Sequence, residues 1–281
     1  MVKLDNLILS QTTRNYLEKY LRQPTHALLL AGPVGVGLGT IAKSIGKELA
    51  SNQVVTIEPQ IHTKQKQSSI NIDDIHGLAQ LTRSRRRDRT VIILDDVSEM
   101  TDNAPQAFLK LLEEPIPNIH YILTTHQPDY LPVTILSRVQ LIQVIPPTLT
   151  DFEHAPDSLT AEIIKDRQAQ ISFLSARLPA EMSRLVHDDE YYKKQAAVAE
   201  QAKNFVQGNE YQRLKVASQV KDRGEASDLV LMIGRLLMHA ALKSPENNGL
   251  AEQLEVVSTV IDSLHHNGNV RMQLCYLALS L

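Results

Sequence analysis

Short apolar runs alternate with amphipathic stretches through the first half of the chain, and the alternation stops near its middle. Residues 28–31, 54–57, 91–95, 121–124 and 141–145 are β-branched or Leu-rich runs of strand length. Between them, apolar residues recur at helical spacing. Ile41, Ile45 and Leu49 share one face of residues 40–50, and Ile75, Leu78 and Leu81 share one face of residues 72–85. A third helix starts near Thr101 or Asn103, either of which can serve as its N-cap, with Pro105 tolerated only in the first turn. Phe108, Leu111 and Leu112 form its apolar face, and Pro115 stops it. Strands separated by helices in this way read as a parallel sheet covered by crossover helices, because parallel neighbours need a long connection. The pattern predicts a five-stranded α/β domain over residues 1–147.

Beyond Pro146 and Pro147 the two-residue alternation disappears and only helical periodicity remains. A small helical lid is expected over residues 148–187, with Pro179 opening its last helix. An all-α domain is expected over residues 188–281. There, Leu229, Met232, Ile233, Leu236, Leu237 and Ala240 make one wide stripe, and Leu254, Val257, Ile261 and Leu264 make another. Asn267-Gly268-Asn269 reads as a C-cap glycine followed by the N-cap of a final helix over residues 270–281.

Composition narrows the classes of function. A hydrophobic content of 43% over 281 residues supplies two or three small cores. A net charge of −3 gives no global field toward nucleic acid, and 4% aromatics without Trp give no platform for stacked bases. The one cysteine, Cys275, forms neither an intrachain disulfide nor a four-cysteine zinc site, and its apolar setting predicts a buried structural role. No signal peptide is read in the first eleven residues, and no apolar run reaches the roughly 18–20 residues of a bilayer span. A soluble cytoplasmic protein is expected.

Two motifs then suggest nucleotide chemistry. Gly32-Pro33-Val34-Gly35-Val36-Gly37-Leu38-Gly39-Thr40 follows an apolar run and opens a helix, as a phosphate-binding loop does. Gly32 and Gly37 match the framework, with Gly35 a further candidate between them, but Leu38 stands at the lysine position and Gly39 at the metal-binding hydroxyl position. Leu38 cannot neutralise phosphate charge, and Thr40 lies one residue late, about 100° round the helix. Val91-Ile92-Ile93-Leu94-Asp95-Asp96 has the form of a Walker B strand. Asp95 is the candidate for the magnesium water shell, and Asp96 stands where an active ATPase carries a glutamate.

The stretch that follows adds specificity. Ala107-Phe108-Leu109-Lys110-Leu111-Leu112-Glu113-Glu114-Pro115, Tyr121-Ile122-Leu123-Thr124-Thr125-His126 and Thr134-Ile135-Leu136-Ser137-Arg138 occur in this order. With the preceding motifs they resemble the AAA+ clamp-loader subunits across residues 24–147, above all the delta-prime branch of the bacterial DNA polymerase III loader. The resemblance implies an AAA+ domain, a lid and a helical collar. It implies that Arg138, presented by Ser137, is an arginine finger acting in trans on a neighbour's ATP. A planar, permanently charged fork suits that task.

The resemblance also implies no cofactor in cis, with ATP and magnesium held by the neighbouring subunit. The implied partners are gamma/tau-type ATPase subunits, a delta subunit, indirectly the sliding clamp, and primer–template DNA, with no membrane. Val139 replaces the family's cysteine as a conservative buried swap, and His126 stands at the sensor-1 position. The zinc module of many relatives is absent, and Arg184 is the candidate for the lid arginine. Arg83, Arg85, Arg86 and Arg87 belong to the one dense basic cluster and are candidate phosphate contacts, although a solvated helix end is the favoured reading for most of them. His26 reads as a packing residue. Two rivals remain, an ATPase that binds nucleotide through the loop backbone and an adaptor outside replication.

Overall fold

The computed structural model describes residues 4, 6–50, 53–61, 68–83, 88–101, 103–148, 151–152, 168–244 and 246–281. The chain divides into two compact units, Met1–Ala169 with Arg177–Ser183, and Gln170–Ala176 with Arg184–Leu281. Residues 149–150 and 153–167, most of the expected lid's first half, lie outside the described residues.

The first unit is built on a parallel sheet. In chain order it contains α1 (Gln11–Arg22), β1 (Ala27–Ala31), α2 (Leu38–Leu49), β2 (Gln53–Ile57), β3 (Gln60–Ile61), β4 (Ser68–Ser69), α3 (Ile72–Arg83), β5 (Thr90–Leu94), α4 (Ala104–Glu113), β6 (Ile119–Thr125), α5 (Val133–Leu136) and β7 (Gln140–Gln143). The five-stranded sheet has the order β2-β5-β6-β1-β7, and every pairing within it is parallel. β3 and β4 form a separate two-residue antiparallel pair that the apolar pattern did not predict.

Both faces of the sheet are covered, which is why β1 and β5 are buried at every position. Alternate residues feed two cores. Leu28, Leu30, Val91, Ile93 and Ile122 join Leu17 and Tyr20 of α1 and Ile41, Ile45 and Leu49 of α2. Leu29, Ile92, Leu94, Tyr121 and Leu123 join Ile75 and Leu78 of α3 and Phe108 and Leu112 of α4. Phe108 meets Tyr121 edge to face, with ring centroids 5.4 Å apart. Burial without a partner for its hydroxyl pushes the Tyr121 phenol up to about 12.

The expected strands are all present, with no end displaced by more than two residues. Helix α1 is an addition. Only Thr13, Leu17 and Tyr20 are buried along it, too sparse a stripe to stand out among polar neighbours. Helix α4 begins at Ala104, after Asn103, but the Asn103 side chain makes no capping bond. Val139 is half-buried against the second core.

In the second unit the helices are α6 (Gln168–Leu174), α7 (Pro179–His187), α8 (Asp189–Gln207), α9 (Glu210–Gln219), α10 (Arg223–Lys243), α11 (Asn248–His265) and α12 (Val270–Ser280), of which α6 and α7 fall only partly within it. Their starts are strongly encoded. Asp188, Asp222 and Asn269 cap backbone N–H groups, and Asn209 forms a reciprocal capping box with Gln212. On α10 the buried residues are Ala226, Leu229, Val230, Met232, Ile233 and Leu237, while Leu236 and Ala240 are half-buried, so the inward face takes in Ala226 and Val230 beyond the expected stripe.

The turn between α11 and α12 departs from the sequence expectation. Asn267 takes the left-handed conformation at φ 62°, and Gly268 is the next residue. The Gly268 N–H reaches the Ser263 carbonyl at 2.7 Å, closing a Schellman turn. Glycine is needed at 268 because an added Cβ would lie 2.6 Å from that same carbonyl oxygen. Cys275 on α12 is half-buried rather than buried, because it lies beside the helix's inward face of Leu274, Leu277 and Ala278.

Candidate functional site

The C-terminal ends of β1, β5 and β6 converge on one crevice, where ligands bind in open α/β sheets. From β1 the chain enters the glycine loop, and Gly37, at φ 93°, serves as the N-cap of α2. That left-handed geometry is what glycine adopts without steric cost. The first turn of α2 therefore faces the crevice, as anion binding at a helix start requires.

Leu38 is only 3% exposed and belongs to the core with Val36, Ile41 and Ile45. Gly39 lies against Asp95. A Cβ there would stand 3.3 Å from Asp95 Oδ2, so a hydroxyl at this position would sit beside the acid. The Thr124 hydroxyl donates to Asp95 Oδ1 at 2.6 Å and accepts the Asp96 N–H at 2.8 Å. Asp96 is held at φ 45°, with its buried Oδ1 lacking a partner.

His126 Nδ1 lies 2.8 Å from the Gly32 carbonyl, so the residue at the sensor-1 position is tied to the loop backbone. Nδ1 must carry the hydrogen to donate there. The Gly35 carbonyl accepts from the Ala180 N–H at 3.0 Å and the Glu181 N–H at 3.3 Å. Residues at the start of α7 thus contact the loop, a placement the sequence did not reveal. Arg184, the lid candidate, stacks instead over the Tyr191 ring at 3.7 Å.

These groups do not fit a magnesium nucleotide well. The crevice offers Asp95 and Asp96 as acidic oxygens, no loop lysine, and no hydroxyl at residue 39. Thr40 is exposed, in keeping with its displaced position on the helix.

Ser137 and Arg138 occupy a different place on the same unit. They follow α5, whose Ile135 is buried in the core with Phe108 and Leu112. Ser137 Oγ donates to the Thr134 carbonyl at 3.0 Å, closing the turn. Arg138 Nη1 donates to the same carbonyl at 3.0 Å and to Ser137 Oγ at 3.2 Å. Its Nη2 lies 2.8 Å from Glu113 Oε1 at the end of α4. The guanidinium side chain is 36% exposed, so it is held yet open to solvent. Glu113 belongs to the 107–115 motif, and nothing in the sequence pairs it with Arg138. The available signal was a carboxylate in the last helical turn, where the dipole disfavours it.

Of the basic cluster, Arg83 ends α3, while Arg85, Arg86 and Arg87 lie outside the described residues. His26 is half-buried, with its buried Nε2 lacking a partner. No helix among the described residues is long and apolar enough to cross a membrane, and none of them form a cluster of three metal-ligating acids, histidines or cysteines.

Comparison with known proteins bears on this arrangement. The family described as DNA polymerase III, delta subunit, matches residues 10–148. DNA polymerase III subunit tau of Escherichia coli is 32% identical over 132 residues, covering 40% of this chain and 20% of that protein. DNA polymerase III subunit delta′ of Pseudomonas aeruginosa is 26% identical over 210 residues, covering 66% of this chain and 62% of that protein. The chain thus spans only 20% of the length of the tau relatives.

Among solved structures, a DNA polymerase III gamma-subunit-related protein of Thermotoga maritima superposes with a TM-score of 0.56 at 18% identity, covering 96% of this chain and 98% of that one. The RuvB branch migration motor of the same organism superposes with a TM-score of 0.50 at 20% identity, over 66% of this chain and 63% of that one. Both likenesses concern the fold: an α/β domain with a five-stranded parallel sheet, followed by helices.

Proposed function

Since this chain belongs, over residues 10–148, to the clamp-loader branch of the AAA+ proteins, we propose that it is a delta-prime-like subunit that does not hydrolyse ATP itself. It supplies Arg138 in trans to the ATP site of a gamma/tau-type neighbour. One contrast carries the reading. Leu38, at the lysine position, is buried in the core, while Arg138 stands half-exposed on a turn fixed by its own hydrogen bonds.

The physical logic is a division of charge. A triphosphate develops negative charge on its equatorial oxygens during transfer and needs cations held close to it. The cis loop has exchanged its cation for a core leucine. The trans position keeps a guanidinium, which stays charged and donates in a fixed fork. The helical second unit would serve as the collar joining the chain to its neighbours, and the assembly would load a sliding clamp on primed DNA in a bacterial cytoplasm.

The experiment compares ATP hydrolysis by the isolated chain, by a gamma/tau-type subunit with its delta subunit, and by the three together. The isolated chain is expected to show no turnover above background, and its addition is expected to raise the partners' rate. Turnover by the isolated chain would favour an autonomous ATPase instead. No change on addition, with a complex formed, would favour an adaptor outside replication.

A further inference from the structure

From the ion pair between the end of α4 and the turn after α5, we infer that Glu113 is a positioning residue for Arg138, orienting the guanidinium for its task in trans. This rests on the reading of Arg138 given above.

Both residues stand on rigid supports. Phe108 and Leu112 anchor α4 in the core, and Ile135 anchors α5 in the same cluster. An arginine side chain loses rotamer freedom when it is ordered. Here part of that cost is met before any partner arrives, because three acceptors already restrict it. Nη1 is tied to the Thr134 carbonyl and Ser137 Oγ, and Nη2 to Glu113.

A guanidinium has five N–H groups. Three contacts leave at least two of these N–H groups, one of them on Nε, for an incoming oxyanion. Glu113 therefore restrains the fork without exhausting it.

Stability alone does not account for Glu113. A carboxylate in the last turn of a helix opposes the macrodipole, and an exposed ion pair returns little to the folded state. Glu113 is 44% exposed, so the pair is screened. What the pair does supply is direction, and orientation of a charged group contributes to catalysis even when its contribution to folding is small.

The test uses the assembled complex of this chain with a gamma/tau-type ATPase and delta, reading kcat and KM for ATP in a double-mutant cycle. Glu113→Ala is expected to lower kcat about three- to fivefold, the upper part of the range for an exposed pair, with KM unchanged. Glu113→Asp should recover part of the loss. In the Arg138→Ala background, Glu113→Ala should have no further effect. Glu113→Gln, which keeps the side-chain volume, should lose kcat in the same direction and serves if the alanine variant folds poorly.

Wild-type or raised kcat in Glu113→Ala would overturn the inference, as would an equal loss in both backgrounds. A silent Arg138→Ala would instead overturn the reading of Arg138 itself. The two failures are thereby distinguishable.

Discussion

A leucine at the loop's lysine position changes what the loop can hold, because its side chain gains free energy from apolar burial rather than from a phosphate. Leu38 does this in the core beneath the crevice, and the Asp95 carboxylate is occupied locally. Thr124 bridges Asp95 and the Asp96 backbone, and His126 is tied to Gly32. A pH response belongs to this scale too, at the opposite end of β6. Burial, outweighing a hydrogen bond to the Thr25 carbonyl and aided by Arg89 and His26, holds the His120 imidazole below its usual 6.5.

A lowered histidine pKa means that the unfolded chain takes up the proton first as pH falls. The contribution is complete above about 6.5 and is lost as pH drops toward the folded value. His120→Gln should therefore flatten the fall in stability below about pH 6.5, read from denaturant midpoints across that range. A slope identical to wild type would refute the assignment. At this scale the sequence disclosed identities more readily than contacts. Leu38, Asp95 and Arg138 were recognisable from motif order, whereas Glu113 and Ala180 acquire meaning only once separate segments come together.

Helix ends in this chain are written in short polar signals, and most of them work as single residues. The Asn269 side chain accepts the Met272 N–H at 3.1 Å at the start of α12. Asn269→Ala should cost about 1 kcal/mol of stability, measurable as a shift in the chemical denaturation midpoint without a change in slope. An unchanged midpoint would show that the capping bond adds nothing there. Asn269 was legible as a cap because it directly precedes an apolar helical run, and strands β1 and β5 were legible because burial on both faces leaves them almost continuously apolar.

Two elements were less legible. Helix α1 buries three residues in twelve, one of them a threonine, and so carries little periodic signal. The β3–β4 pair has two residues per strand, below the length at which alternation can be recognised. The left-handed Asn267 was misassigned to Gly268 because glycine is the usual occupant. The glycine is required instead by its close approach to Ser263.

On the scale of the whole molecule, the sheet serves two ends at once. Its C-terminal edge retains the crevice of a nucleotide-binding fold, with a core leucine where the cation would stand. Its α4–α5 side presents a restrained guanidinium to solvent. The central claim is that Arg138 acts on a neighbour's ATP. Its most direct test is single-turnover ATP hydrolysis by a complex of this chain with gamma/tau-type and delta subunits, comparing wild type with Arg138→Ala after assembly is verified by size-exclusion chromatography. The account predicts at least about a tenfold loss in the hydrolysis rate, below the 10³–10⁵ range of dedicated arginine fingers, with the complex intact. An unchanged rate in an intact complex would contradict it.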